Sequence, residues 1–186
     1  MFLTKNQLAA LGFKSLGNDV NISDKASIYN AKNISIGNNV RIDDFCILSA
    51  GEDGIEIENN IHIACYSCLI GKSKITLKDY CNISSKVCIY SSNDDYSGNS
   101  LTNPCIPDLY KDVKHLPVTL KEHVIVGSGC VILPGVIMNI GSAAGAQSLI
   151  NKSVDEFTIV SGVPAKFIKI RSRNLLQKQA EYEKCQ

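Results

Sequence analysis

Aliphatic residues return every six positions along the C-terminal half of the chain: Leu120, Val126, Ile132, Met138, Ala144 and Ile150. Four places after each stands a small or Val-sized residue: Val124, Cys130, Val136, Ser142, Ser148 and Val154. This period fits neither an amphipathic helix nor the simple alternation of a half-buried strand. It fits a chain wound into a coil with three flat faces. Each face then turns one aliphatic residue inward, and a compact residue fills each interior corner. The pattern predicts an all-β chain folded as a parallel β-helix.

The same period runs upstream with breaks, through Ile22, Ile28 and Ile34; Ile36, Ile42 and Leu48; Ile57, Ile63 and Leu69; and Leu77, Ile83 and Ile89. Compact residues recur at Ala26, Val40, Cys46, Ser67, Ser73, Cys81 and Val87. Where the count slips, the chain reads Gly-Glu-Asp-Gly at 51–54 or Gly-Lys-Ser at 71–73, which predicts bulges at corners. With about 18 residues per coil, the repeat predicts about six coils. Stacked at a strand spacing of ~4.8 Å, they form a prism on the order of 30 Å tall.

The ends and one interruption complete the plan. Residues 1–17 read as an N-terminal cap helix, with Thr4 as cap and Leu8, Leu11 and Phe13 as its apolar side, ended by Gly12 or Gly17. Residues 20–160 carry the repeat, broken by a looped-out segment at 93–117. That loop holds Tyr96, Leu101, Ile106, Leu109, Tyr110 and Val113, too much apolar surface for a linker, so it is expected to dock on something. Residues 161–186 read as a tail and a polar helix, expected to cover the C-terminal end, and the 186 residues as one domain.

Composition narrows the classes. A net charge of +1 carries no preference for nucleic acid or a membrane surface. No apolar run reaches transmembrane length and the N-terminus lacks a signal-peptide pattern, so the expected compartment is the cytoplasm. Three of the eight cysteines, Cys46, Cys81 and Cys130, fall in the compact corner series, where a thiol acts as a small buried hydrophobe. Cys65 and Cys68 have CxxC spacing, but no second pair completes a zinc set, and a strand aims them at opposite faces. Phe is scarce and Trp absent, as a narrow interior of Ile, Val and Leu requires.

The repeat, the loop that interrupts it before the last coils, and the tail Gly162-Val-Pro-Ala-Lys166 together resemble the hexapeptide-repeat acyltransferases. The segment Ser91-Ser-Asn-Asp-Asp-Tyr-Ser-Gly98, followed by Leu101, Pro104 and Pro107, is similar to the members that acetylate nucleotide-linked amino-deoxysugars for bacterial surface polysaccharide. The resemblance implies a left-handed β-helix, acetyl-CoA as co-substrate with no metal, and a homotrimer with the acyl donor lying between neighbouring prisms. It implies that Gly127, Ser128, Gly145 and Ala146 meet the pantetheine arm and thioester. Asn151, Lys152, Lys166 and Lys169 would lie near the adenine and phosphates, with Arg171 and Arg173 adding to the basic tail. Asn93, Asp95 and Tyr96 would meet the sugar.

The catalytic position departs from the pattern. Related galactoside acetyltransferases place a general-base His at the start of the loop, where this chain has Asp94. An unperturbed carboxylate titrates near ~4 and is a weak base for a hydroxyl, but an amine attacks once neutral and needs only orientation and a proton acceptor. The change favours N-acetylation over O-acetylation. His115, at the loop's far end, is the rival base. His62 is expected to be structural and His123 to face solvent. A zinc site like that of β-helical carbonic anhydrases needs a His pair that these residues do not form. A non-catalytic scaffold would lack the loop and the basic tail.

Overall fold

The computed structural model describes residues 1–185. Short strands line three parallel sheets around one aliphatic interior, wound left-handed. The first face stacks Ser15–Leu16, Ile34–Ile36, Ile55–Ile57, Ile75–Leu77, Val118–Leu120 and Ile137–Met138. The second stacks Val20–Ile22, Val40–Ile42, Ile61–Ile63, Asn82–Ile83, Ile125–Val126, Ala143–Ala144 and Thr158–Ser161. The third stacks Ser27–Tyr29, Ile47–Ala50, Cys68–Gly71, Cys88–Tyr90, Val131–Ile132 and Leu149–Ile150. Two faces thus carry six strands, in line with about six coils, while the second carries a seventh parallel strand.

Register turns the sequence period into vertical columns. Ile22, Ile42, Ile63, Ile83, Val126 and Ala144 stand one above another on the second face, all buried. On the first face Leu77 pairs with Ile57 below and Leu120 above, so the chain leaves after one coil and re-enters the next in register. The compact series fills the corners as expected: Cys46, Ser67, Cys81, Val87, Val124, Cys130 and Ser148 are buried. All eight cysteines are free thiols. Cys65 Sγ faces Ser85 Oγ whereas Cys68 Sγ faces the Tyr90 hydroxyl; they diverge because Cys65 sits in the corner turn and Cys68 opens the next strand, not by alternation along one strand.

Corners need polar chemistry because their amides leave the sheet ladder. Between the first and second faces, Asn38 Oδ1 accepts from the Asn18 N–H, Asn59 Oδ1 from the Asn38 N–H and Asp79 Oδ1 from the Asn59 N–H, at 2.7–2.8 Å. Each coil thereby satisfies the amide of the coil before it. Between the third and first faces the 51–54 slip is a turn in which a Cβ on Gly51 would collide with the Lys72 backbone, so glycine is required for the coils to close.

α1 (Lys5–Ala10) has the expected Thr4 cap, completed as a capping box by Gln7. Leu8 is buried and Phe13 packs against the core, while Leu11 stays exposed. The C-terminal end differs from expectation. Lys166–Ile170 folds back as an antiparallel strand on Thr158–Ser161 and closes the edge of the second face. α2 (Asn174–Glu183) then runs back beside the prism, where Gln179 meets His123 Nε2 at 2.7 Å and Glu183 meets the Tyr80 hydroxyl at 2.8 Å. Arg171 latches this return by donating to the carbonyls of His123 and Gly141, both at 2.9 Å. His123 is therefore a corner residue stacked on Tyr80, not a solvent-facing one.

The interior column is the main source of stability. Ile83→Ala, in the middle of it, should lower the unfolding free energy by about 2–5 kcal/mol. A fall in the urea midpoint with an unchanged slope is the expected result.

Candidate functional site

The loop is clipped at its root. Ser92–Asn93 pairs antiparallel with Lys114–His115, matching Ser92 to His115 and Asn93 to Lys114. The Leu116 N–H also donates to the Ser91 carbonyl at 3.1 Å. This brings the loop's first and last residues together, so Asp94 and His115 line one cavity of about 450 Å3 with Lys72, Asn103, Asp108 and Lys111. Sequence spacing alone could not join them, because the strand pair does.

The two candidate bases differ in their contacts. His115 is exposed, and its Nδ1 is engaged by Ser92 Oγ at 2.8 Å. The Asp94 carboxylate is half-buried and has no side-chain hydrogen bond or ion pair among the described residues. Lys72 and Lys111 line the same cavity, with Lys111 paired to Asp108 at 2.9 Å. Asp94 is thus a free acceptor beside cationic side chains.

Two neighbouring candidates, Asn93 and Asp95, also hold the loop itself together. Asn93 Nδ2 donates to the Asp94 carbonyl, and the Asn93 backbone belongs to the clip. Asp95 folds the loop tip by accepting from the N–H and hydroxyl groups of both Ser97 and Ser100. The Ser97 hydroxyl foremost, with those other donors, holds its carboxyl down to about 2. Tyr96 is 87% exposed and Leu109 79%, with Leu101 and Tyr110 also exposed. These four therefore find no cover within the chain, whereas Ile106 and Val113 are partly buried.

The turns expected to hold the acyl donor form a second edge. Val126 pairs with Ala144, which places Gly127 beneath Gly145 and Ser128 beneath Ala146 at the corner joining the second and third faces. A Cβ on Gly127 would collide with the Ala146 amide, so glycine serves the stack itself as well as close approach by a ligand. The Ala146 N–H has no hydrogen-bond partner among the described residues, like the Ser128 and Ser85 amides at the same place in the coils below. Asn151, Lys152, Lys166 and Lys169 are exposed near this end of the prism. Arg171 and Arg173 leave the expected basic cluster: the first binds carbonyls, the second pairs with Glu156 at 2.9 Å and covers the Phe157 ring.

One chain does not unite the two edges. The loop leaves from one side of the third face and the glycine corner lies on the other, separated by a strand such as Cys88–Tyr90, roughly 10 Å wide. The third face between them carries Tyr29, Ile47, Cys68, Ile70, Cys88, Tyr90, Val131 and Leu149 along its outer rungs, mostly apolar, with Ser27 and Ser49 among them in the lowest coils. The outer rungs of the second face carry Asn21, Arg41, His62 and Asn82 in the lower coils and Ile125, Ala143 and Ile159 in the upper ones. Sequence reading also passed over Ser84. Ile83 pairs with Val126, which sets Ser84 directly under Gly127 at the glycine corner. A serine in a corner gives no signal in the hydrophobic period.

No family model matches the chain. Over 182 residues, 98% of this chain and 95% of the relative, it is 52% identical to a dTDP-4-amino-4,6-dideoxy-D-glucose acyltransferase of Escherichia coli. It superposes with a TM-score of 0.95 and 46% identity, covering 99% and 97% of the two chains, on AntD, an N-acyltransferase from Bacillus cereus solved with dTDP and 3-hydroxybutyryl-CoA. Variants S84A and D94N of AntD have been solved with coenzyme A, the first with dTDP-4-amino-4,6-dideoxyglucose and the second with dTDP. At 21% identity and a TM-score of 0.60, a hexapeptide-repeat acetyltransferase from Vibrio cholerae shares the fold, over 91% of this chain and 79% of that one.

The Asp95 turn gives a test of loop order. Its folded pKa lies below the ordinary 3.8, so the ordering is complete above about 4 and is lost as pH falls toward 2. Protection of the Ser97 and Ser100 amides against hydrogen exchange, relative to the intrinsic rate at each pH, should fall over that window, and Asp95→Asn should show the lower protection already at pH 7.

Proposed function

The chain belongs to the hexapeptide-repeat acyltransferases, among the dTDP-4-amino-4,6-dideoxyglucose acyltransferases, and from that premise we propose that it transfers an acetyl group from acetyl-CoA to the amine of a nucleotide-linked 4-amino-4,6-dideoxysugar. The observation that carries this reading is the extent of the likeness, 52% identity over 98% of the chain, loop and prism together. The product would feed bacterial surface polysaccharide, and both substrates are cytoplasmic metabolites, which supports a cytoplasmic site of action. No helix among the described residues is long and apolar enough to cross a membrane.

The chemistry follows from the two edges. The neutral amine attacks the thioester carbonyl carbon, an N–C bond forms, and the negative charge gathers on the carbonyl oxygen. In this reading the unpartnered Ala146 N–H stabilises that oxygen. The C–S bond breaks and coenzyme A leaves as thiolate. The nitrogen sheds one proton, which the free Asp94 carboxylate accepts and passes on toward the thiolate or water. A weak base suffices because the proton leaves a positively charged nitrogen. His115 shares the cavity but is engaged by Ser92, so it is the secondary candidate.

The assembly is a homotrimer in this reading. An apolar third face lies between two half-sites, and a neighbouring prism packed there brings one chain's loop to the other's glycine corner. The exposed Tyr96, Leu101, Leu109 and Tyr110 then gain the partner they lack within one chain. Exposed Lys166 and Lys169, near Asn151 and Lys152, are available to the phosphates of coenzyme A, and Gly127, Ser128 and Gly145 to its pantetheine arm.

Thiol release from acetyl-CoA, measured against a panel of nucleotide amino- and hydroxy-sugars, tests the reaction. Release with the 4-amino sugars alone is expected; release only with hydroxy acceptors would reverse the assignment. Asp94→Asn should lower kcat at least tenfold, within the ~10²–10⁴-fold span of general-base catalysis, with coenzyme A binding retained and His115→Asn nearly silent. Ile70→Arg, in the middle of the apolar face, should give a smaller species by sedimentation and abolish transfer; a fully active monomer would defeat the shared-site reading.

A further inference from the structure

Most of the thiols in this chain are occupied where they stand. Cys46 donates to the Ala64 carbonyl at 3.2 Å, Cys81 to the Lys121 carbonyl at 3.2 Å and Cys130 to the Gly145 carbonyl at 3.0 Å, each within its own corner. Cys65 meets Ser85 Oγ at 3.4 Å. Cys105 is exposed in the loop and Cys185 in the tail. Cys68 and Cys88 differ from all of these. They are register partners on neighbouring strands of the third face. Both point out of the prism, because Leu69 and Ile89, the residues that follow them, are turned into the core. Two thiols so placed, in a reaction that uses neither, invite the question of what they do together.

Their column runs Ile47, Cys68, Cys88, Val131, so apolar side chains lie below and above the two sulfurs. The Tyr90 hydroxyl, two residues along the same strand as Cys88, stands 3.9 Å from Cys68 Sγ. Cys68 is buried and Cys88 half-buried, so Cys88 is the thiol that a reagent meets first. Burial, and then the adjacent Cys88 thiol, push the Cys68 thiol up to about 12, so Cys68 holds its proton. Strands stack ~4.8 Å apart, inside the ~4.4–6.8 Å range of Cα separations that a disulfide bridges. A disulfide holds its Cβ atoms ~3.5–4.5 Å apart, a little under the stacking distance, so bonding would draw these two coils together by a few tenths of an ångström.

We propose that Cys68 and Cys88 form an oxidation site, at which hydrogen peroxide joins two successive coils by a disulfide and so shifts the root of the loop that carries Asp94. The Cys88 thiolate attacks one peroxide oxygen and the O–O bond breaks. The departing hydroxide takes up the proton that Cys88 gave away and becomes water, leaving a sulfenic acid on Cys88. The Cys68 sulfur then attacks that sulfur, the S–S bond forms and the S–O bond breaks. The hydroxyl leaves as water with the Cys68 proton, which a thiol that stays protonated is suited to supply. Two thiols and one peroxide give one disulfide and two waters, with both electrons passing to the peroxide. An oxidant of this size suits a surface that a neighbouring prism covers in the proposed homotrimer. The effect reaches the loop because Cys88–Tyr90 runs straight into it. Ser91 is buried, its N–H bonded to the Ile70 carbonyl at 3.0 Å and its carbonyl to the Leu116 N–H at 3.1 Å, and Ser92–Asn93 then form the clip before Asp94. The bond itself is independent of the reaction proposed above; its effect on transfer rests on that reaction.

The test uses the full chain with its two exposed thiols removed, Cys105→Ser/Cys185→Ser, so that copies do not cross-link through them. The protein is treated with hydrogen peroxide, the excess is destroyed with catalase, and intact mass, a peptide map without reductant, sedimentation and coenzyme A release are read. Each chain should lose two hydrogen atoms and yield a peptide that links Cys68 to Cys88, with the sedimentation coefficient unchanged. Displacing the loop root should lower kcat roughly tenfold, and dithiothreitol should restore it. Protection of the Leu116 amide against hydrogen exchange should change with oxidation and return with reduction. Cys68→Ala and Cys88→Ala, whatever their activity when reduced, should show no loss that dithiothreitol reverses. Absence of the linked peptide overturns the proposal. So does a linked chain with unchanged kcat and unchanged Leu116 protection, or a bond that joins two chains. If the reduced protein releases no coenzyme A with any nucleotide sugar, the proposed reaction fails instead, and the linked peptide and Leu116 protection still decide this one.

Discussion

Every feature of this molecule depends on one constraint: each coil hydrogen-bonds to the next in fixed parallel register. Ile63 has Ile42 below it and Ile83 above because the main chain allows no other pairing on that face. Residues twenty or so apart in sequence become vertical neighbours. The side chains inherit this order, so the interior is a set of columns instead of a jigsaw. The corners inherit it too, and the Asn38–Asn59–Asp79 ladder exists because each turn stands directly over another. The same constraint forbids a Cβ at Gly51 and at Gly127, where the backbone of an adjacent coil passes too close.

The prism contributes stiffness and straight edges, and chemistry collects on those edges. One edge bears the clipped loop with Asp94, the other the glycine corner with Ser84 beneath it. Neither is complete alone, and the apolar rungs of the third face lie between them. The proposed homotrimer would couple association to catalysis by geometry: the surface proposed to bring copies together is the one that separates the two candidate half-sites within each copy.

Much of this was legible in the sequence, for a physical reason. A repeat that buries one aliphatic residue per face writes itself into the chain at fixed intervals, and the compact corner series, with Cys46, Cys81 and Cys130 in it, follows from the same sterics. The Thr4 cap was readable as local chemistry. What escaped notice lies outside that period. The fold-back of Lys166–Ile170 depends on an open sheet edge that exists only after seven strands have stacked. Arg171 reads as one more basic tail residue until the carbonyls of His123 and Gly141 converge on it. Asp94 became a candidate because it breaks a motif. Ser84, Cys68 and Cys88 break none, and only register sets the first under Gly127 and the other two side by side.

The clip at the loop root has a consequence for how such a protein can diversify. Ser92–Asn93 and Lys114–His115 close the excursion on itself, and Val118 resumes the stack over Ile75 as though nothing had been inserted. The segment between behaves as an exchangeable cassette seated in an indifferent frame. Lengthening, shortening or replacing it costs little more than the slow logarithmic entropy of a closed loop. A whole surface excursion can thus be exchanged while the prism stays constant, so chains sharing a near-identical scaffold can carry quite different surfaces at this one place.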